Sequence, residues 1–176
     1  DDFTQSPGVD GELTRTMEET LLRKVGLIIA TSEKLQRTRL NGKRPTQLLT
    51  HGVDVEHFRC VSTREPADSL RGLNGSVVAY YGLVDERCDM LLLMRLIQEL
   101  KDVTFLIIGQ WRVDPASFAH MPNVRITGPV PYDDLPTFLA PASALILPYV
   151  LNDLAESINP LKLKEYLATG QEDRKS

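Results

Sequence analysis

Residues 77–109 read VVAYYGLVDERCDMLLLMRLIQELKDVTFLIIG, and the order of residue types in them decides the fold. Val77 to Tyr81 is an apolar run too short for a helix, and it closes at Gly82. Asp89 stands where a helix N-cap is expected, ahead of a helix through Leu100. Val103 to Ile108 is a second apolar run, closed by Gly109. Runs of this kind do not alternate polar with apolar residues, so both faces of each strand are covered. Two such strands joined by a helix make a parallel pair with a right-handed crossover.

The pattern continues toward the C-terminus. Pro115 to His120 reads as a short helical turn, and Val124 to Thr127 as a strand closed by Gly128. Asp133 or Asp134 caps a helix to about Leu139, Ala144 to Leu147 is a strand, and Pro160 opens a helix through Thr169 with Gly170 behind it. In the other direction, residues 59–75 are the least periodic stretch, with Pro66, Gly72, Asn74 and Gly75, and read as a linker. Ahead of them, Leu13, Met17, Leu21 and Val25 form a helical stripe. Leu27 to Ala30 is a strand, Thr31 and Ser32 cap a helix from Glu33 to Leu40, and Thr46 to Thr50 is a second strand. The fold class is therefore α/β, a doubly wound parallel sheet, whose ligands bind at the carboxyl edge of the strands.

Composition removes several function classes. The 176 residues carry a formal charge of -4, so no basic excess exists to neutralise a phosphate backbone, and nucleic acid is not expected as a partner. No apolar run reaches the ~20 residues of a membrane span. The first residues, Asp1 to Gly11, show no export signal. Cys60 and Cys88 have no metal-ligand spacing and read as reduced thiols of a cytoplasmic protein. No strand is followed by G-x-G-x-x-G, no P-loop occurs, and no serine sits in a nucleophile elbow. His51, His57 and His120 are not arranged as ligands and read as structural or solvated. Asp85, Glu86 and Asp89, and separately Asp153 and Glu156, are loose acidic groups, but no metal site is expected. Tyr132, Tyr149 and Trp111 at strand ends suit either stacking on a base or sugar, or plain packing.

The segment that carries chemistry is Asn152 to Gly170, NDLAESINPLKLKEYLATG. Asn159 caps the helix and Pro160 fits its first turn. The amides of Leu161 and Lys162 then lack intrahelical acceptors and suit a phosphate or diphosphate. Lys162 adds a positive charge, and Glu165 lies one turn inside, where a carboxylate can reach a ribose diol. The same residues also read as an ordinary capped surface helix, with Glu165 and Lys162 facing water.

Pro160-Leu161-Lys162-Leu163-Lys164-Glu165-Tyr166-Leu167-Ala168-Thr169-Gly170 resembles the P-x-K-x-x-E-Y-L-A-x-G helix of the GT-B glycosyltransferases. The group concerned is retaining and nucleotide-sugar-dependent (glycosyltransferase group 1, family 4-like), and the helix lies in its C-terminal domain. In family order, Thr31-Ser32-Glu33 resembles a helix start near the end of the N-terminal domain, and Gly52-Val53-Asp54 with Phe58 the interdomain crossing. Tyr80-Tyr81-Gly82, Ile107-Ile108-Gly109 and Gly128-Pro129-Val130 resemble successive strand ends of the C-terminal domain. The resemblance runs from about Glu12 to Gly170 and implies a Rossmann-like GT-B half. By position, Glu165 would bind the donor ribose, the Leu161 and Lys162 amides the diphosphate, and Gly82 would let its loop near the phosphates. Val130 would lie beside the nucleobase, and Arg87 is the nearest cation for a phosphate in the Gly82 loop. Two positions depart from the family: Leu83 stands where a basic residue usually follows the glycine, and Ser157 where a second glutamate is common.

The resemblance further implies a division into 1–58, a remnant of the acceptor domain; 59–75, the linker; 76–170, the nucleotide-sugar-binding domain; and 171–176, a polar tail. No cofactor is implied beyond the nucleotide-sugar donor, which is a substrate, and the acceptor is open. The expected place is the cytoplasm, free or peripheral at a membrane. A truncated sheet is expected to associate into dimers to hide its apolar surface. A non-catalytic α/β binding domain and a sugar-nucleotide epimerase of the same architecture remain as alternatives.

Overall fold

The computed structural model describes residues 4, 8–38, 44–151 and 160–170. Two compact units are present: 1–52 with 151–161, and 53–150 with 162–176.

In the first unit, helix α1 (Gly11–Lys24) begins at Asp10, whose carboxylate accepts from the amides of Glu12 at 3.1 Å and Leu13 at 3.0 Å. Strand β1 (Ile28–Ala30) pairs in parallel with β2 (Thr46–Leu48), and α2 (Glu33–Thr38) lies between them in sequence. Ser32 Oγ caps α2 by accepting from the Leu35 amide at 3.3 Å. Ile28, Ala30 and Leu35 form a small core, with Leu22 and Val25 packed against it. Of the helical stripe read from the sequence, only Val25 packs here; Leu13, Met17 and Leu21 are exposed, Met17 at 63 %. A two-stranded sheet is too narrow to cover a helix face of that width.

The second unit holds a four-stranded parallel sheet made of β3 (Ser76–Tyr81), β4 (Val103–Ile108), β5 (Val124–Gly128) and β6 (Ala144–Leu145). Its spatial order is β5-β4-β3-β6, so the chain starts inside the sheet and winds out to both edges. Alternate residues divide between two cores. Val77, Ala79, Tyr81, Leu106 and Ile108 pack with helices α3 (Val55–Arg59), α6 (Leu135–Leu139) and α7 (Leu161–Ala168), through Phe58, Leu139 and Tyr166. Tyr80, Phe105 and Ile107 pack with α4 (Met90–Glu99) and α5 (Ala116–Ala119), through Leu93, Ile97 and Phe118. Each such fully buried aliphatic side chain contributes about 1.5–3 kcal/mol. Asp89 Oδ1 caps α4 by accepting from the Leu92 amide at 2.9 Å, as the sequence predicts.

Residues 59–75 do not behave as a linker. Phe58 and Val61 are both 0 % exposed, Leu70 is buried, and all three belong to the α6–α7 side of the sheet. Short 3-10 turns at Cys60–Thr63 and Asp68–Leu70 present these anchors, and the Ala67 amide donates to the Thr137 carbonyl at 3.0 Å. The boundary between units accordingly falls at Gly52 and Val53, ahead of the expected one at Phe58. Apolar anchors spaced by Pro and Gly turns have no period, so no pattern in the sequence exposes them. Strand β6 also stops at Leu145, two residues short of the expected end. Among the described residues, no helix is long and apolar enough to cross a membrane.

Candidate nucleotide site

The carboxyl edge of the second unit's sheet is built from glycine. The Gly82 amide donates to the Ile108 carbonyl and the Gly109 amide to the Gly128 carbonyl, each at 2.8 Å, so the strand ends are drawn together. Gly82 and Gly109 have φ of 134° and 137°, a region that side chains disfavour. A Cβ on Gly109 would overlap the Gly82 carbonyl oxygen, which is backbone and cannot move aside. A Cβ on Gly82 would overlap Lys162 Cε and lie 2.7 Å from Nζ. The absence of a side chain at Gly82 is therefore what lets the Lys162 ammonium lie across the loop.

Lys162 is in the first turn of α7 and half-buried, and Glu165 is one turn further on. Glu165 is only 6 % exposed and accepts a hydrogen bond at Oε2 from the Tyr81 hydroxyl. The Tyr81 amide in turn donates to Tyr166 Oη at 3.3 Å, and the two rings meet edge to face with centroids 5.4 Å apart. Burial first, and then the bond to Glu165, push the Tyr81 hydroxyl well above the ordinary tyrosine range. It is thus a donor at any physiological pH. Thr169 Oγ closes α7 by donating to the Tyr166 carbonyl at 2.7 Å. The structure thus brings Gly82, Lys162 and Glu165 together at one strand end. Leu161, the first residue of α7, is exposed and falls with the first unit. Asn159, Ser157, Glu156 and Asp153 lie outside the described residues, as does the 171–176 tail.

The loop after Gly82 is stitched on both sides. Val84 exchanges backbone bonds of 2.9 Å with Gln110 and Arg112, and the Asp89 amide reaches the Pro148 carbonyl at 2.7 Å. Within it, Arg87 forks onto Asp85, with Nε to Oδ1 at 2.9 Å and Nη2 to Oδ2 at 2.7 Å. The Asp85 side chain is 5 % exposed and that of Arg87 38 %. Burial alone would raise the Asp85 carboxyl, but the Arg87 hydrogen bonds and charge outweigh it and hold the group below the usual carboxylate range. Two donors of the guanidinium are therefore committed to Asp85, and the acidic group read at 85–89 divides into an ion-pair partner and a helix cap.

Val130 is half-buried and packs on the core that contains Tyr81. Beyond it, the Tyr132 ring stacks on His57 with centroids 4.3 Å apart, and His57 Nε2 lies 3.0 Å from the Tyr132 carbonyl oxygen. Burial raises the Tyr132 hydroxyl, and the carboxylates of Glu165, Asp54 and Asp133 raise it further. Trp111 packs beside Phe118 with centroids 5.5 Å apart. Sequence reasoning missed two residues here: Tyr81, which holds Glu165, and Asp85, which holds Arg87. Tyr81 carried a usable signal, because a tyrosine ending a buried strand face requires a partner for its hydroxyl.

No family model matches the chain. It is 26 % identical over 134 residues to a protein of Bacillus subtilis (strain 168) named "Putative teichuronic acid biosynthesis glycosyltransferase TuaH". That alignment takes in 74 % of this chain and 34 % of TuaH. Among solved structures, the sucrose-phosphate synthase tll1590 from Thermosynechococcus elongatus superposes with a TM-score of 0.69 at 18 % identity, over 94 % of this chain and 44 % of that one. HepE (Alr3699) of Anabaena, solved with UDP and glucose, superposes with a TM-score of 0.60 at 17 % identity, over 82 % of this chain and 43 % of HepE. The chain thus spans about a third of TuaH and less than half of either solved protein. The α/β fold with parallel sheets is the Rossmann-like fold of these proteins, in agreement with the GT-B resemblance of the sequence motifs.

Proposed function

We propose that the chain is the donor-binding portion of a glycosyltransferase that moves a sugar from a nucleoside diphosphate sugar to a glycan, lipid or small-molecule acceptor. The observation that carries this is the meeting of three groups at one strand end. Gly82 makes room, Lys162 lies over it, and Glu165 is buried one turn along the same helix. The similarity to TuaH and the capture of UDP and glucose by HepE support the same class of ligand.

In this function the Lys162 amide and ammonium meet the diphosphate. Their charge stabilises the leaving group as the glycosidic bond breaks, where it counts most for rate. Glu165 takes the ribose diol through its carboxylate, and Val130 lies beside the base. Arg87, forked onto Asp85, supplies the phosphates only through donors that Asp85 leaves open. The acceptor is bound by the part of the protein that the relatives have and this chain does not span. The place of reaction is the cytoplasm, peripheral to a membrane where the acceptor is a lipid.

Calorimetric titration of UDP and UDP-sugars tests the assignment. Glu165→Ala is expected to weaken binding by about 1–3 kcal/mol, as for loss of hydrogen bonds to a charged group. Lys162→Ala is expected to weaken it more at low salt than at high, because part of its contribution is screened attraction. Unchanged affinity in both variants would remove the site assignment. A second function, donor-type binding without catalysis, is favoured by Leu83 in the basic position and by the commitment of Arg87 to Asp85. Sugar transfer by the full-length protein distinguishes the two.

A further inference from the structure

We propose that Tyr81 is a positioning residue for Glu165, orienting the carboxylate so that it meets the ribose diol of a nucleoside diphosphate; this rests on the donor-site function above. Tyr81 and Gly82 are consecutive, and each engages one of the two functional side chains of α7: Tyr81 bonds Glu165, and Gly82 underlies Lys162. Lys162 and Glu165 are three residues apart and so share a helix face. The strand end thereby sets both the phosphate end and the ribose end of the site from one short piece of backbone.

Tyr81 is itself held by three contacts from two residues. Its amide bonds Tyr166 Oη, its ring packs edge to face on Tyr166, and Phe58 stacks on it with centroids 6.3 Å apart. A carboxylate as buried as that of Glu165 requires a donor. The hydroxyl takes Oε2, and a carboxylate has acceptor sites beyond the one so used. An aliphatic or unhydroxylated ring at position 81 would fill the same space without fixing the carboxylate.

A purely structural latch between β3 and α7 predicts different behaviour, and the two are separable by ligand. UDP and 2′,3′-dideoxy-UDP, which lacks the diol, are titrated calorimetrically into the purified 176-residue chain and its variants. The expected result is a preference for UDP that Glu165→Ala abolishes. Tyr81→Phe is expected to reduce that preference roughly five- to tenfold while leaving the dideoxy affinity unchanged. Tyr166→Phe, which removes the acceptor of the Tyr81 amide and leaves both partners of the Tyr81–Glu165 bond in place, is expected to keep the preference; a loss there as large as in Tyr81→Phe overturns the positioning role of the hydroxyl. Equal loss for both nucleotides in Tyr81→Phe overturns the positioning role in favour of a structural one, as does a Tyr81→Phe chain that fails to fold while Glu165→Ala folds. A preference retained in Tyr81→Phe but lost in Glu165→Ala overturns the role of Tyr81 and leaves the donor site standing. A wild-type chain with no preference, or one that survives Glu165→Ala, overturns the diol assignment and this proposal with it.

Discussion

The two units use the same parallel strand-helix-strand element with different consequences. In the second unit β3 pairs with β4 over six residues, and helices on both faces bury every one of Ala79, Tyr80, Leu106 and Ile107. In the first, β1 pairs with β2 over three residues, Ile28 and Ala30 point into a small core, and Ile29 between them is exposed. β1 (Ile-Ile-Ala) is as apolar as β3 and β4, although β2 (Thr-Gln-Leu) is not, so composition by itself does not explain the exposure of Ile29. Width does: a parallel sheet becomes a core only when enough neighbouring strands present a continuous face for helices to cover. The site residues follow the same division, because Tyr81, Gly82, Lys162 and Glu165 all belong to the wide sheet's unit.

The sharpest break of this comparison is Phe58→Ala. If residues 53–75 merely joined two bodies, the substitution would have little effect. Packed as they are on the second sheet, it is expected to destabilise that unit by about 3–5 kcal/mol, read as a lowered urea midpoint. An intermediate effect is expected at Asp85. Its carboxyl is held below the ordinary range in the folded state, so the stability it contributes is present above its unfolded value of about 4 and is lost as pH falls through the lower, folded value. Asp85→Asn should therefore lower stability by about 1–2 kcal/mol at pH 7, since Arg87 remains accessible to water, and should flatten the acid limb of the stability profile. At the small end, Met17→Lys on the open face of α1 is expected to change stability by no more than about 0.5 kcal/mol. A larger loss, or a concentration-dependent change in sedimentation, would mean that the stripe is covered by another copy of the chain.

Element types were legible because each rests on local chemistry. Asp89 ahead of a helix, glycine at a strand's end and unbroken apolar runs depend on neighbours within a few residues, and the four strands of the second sheet lie where those signals put them. The nearness of Gly82 to the α7 turn was legible for a related reason: in a doubly wound sheet, strand ends and helix starts gather at one edge. The 53–75 segment was not legible, since Phe58, Val61 and Leu70 reach the core through turns without a period.

For the proposed site, the sequence supplied the candidate groups, an ammonium at Lys162, a carboxylate at Glu165 and a glycine at 82, and the family resemblance pointed them at a nucleotide. Tertiary structure decided their state. Glu165 is buried and receives the Tyr81 hydroxyl only in the folded chain, and only the fold of the loop turns Arg87 toward Asp85. The reason is separation along the chain. Tyr81 and Glu165 are 84 residues apart, so a hydrogen bond between them leaves no trace in the local pattern of either.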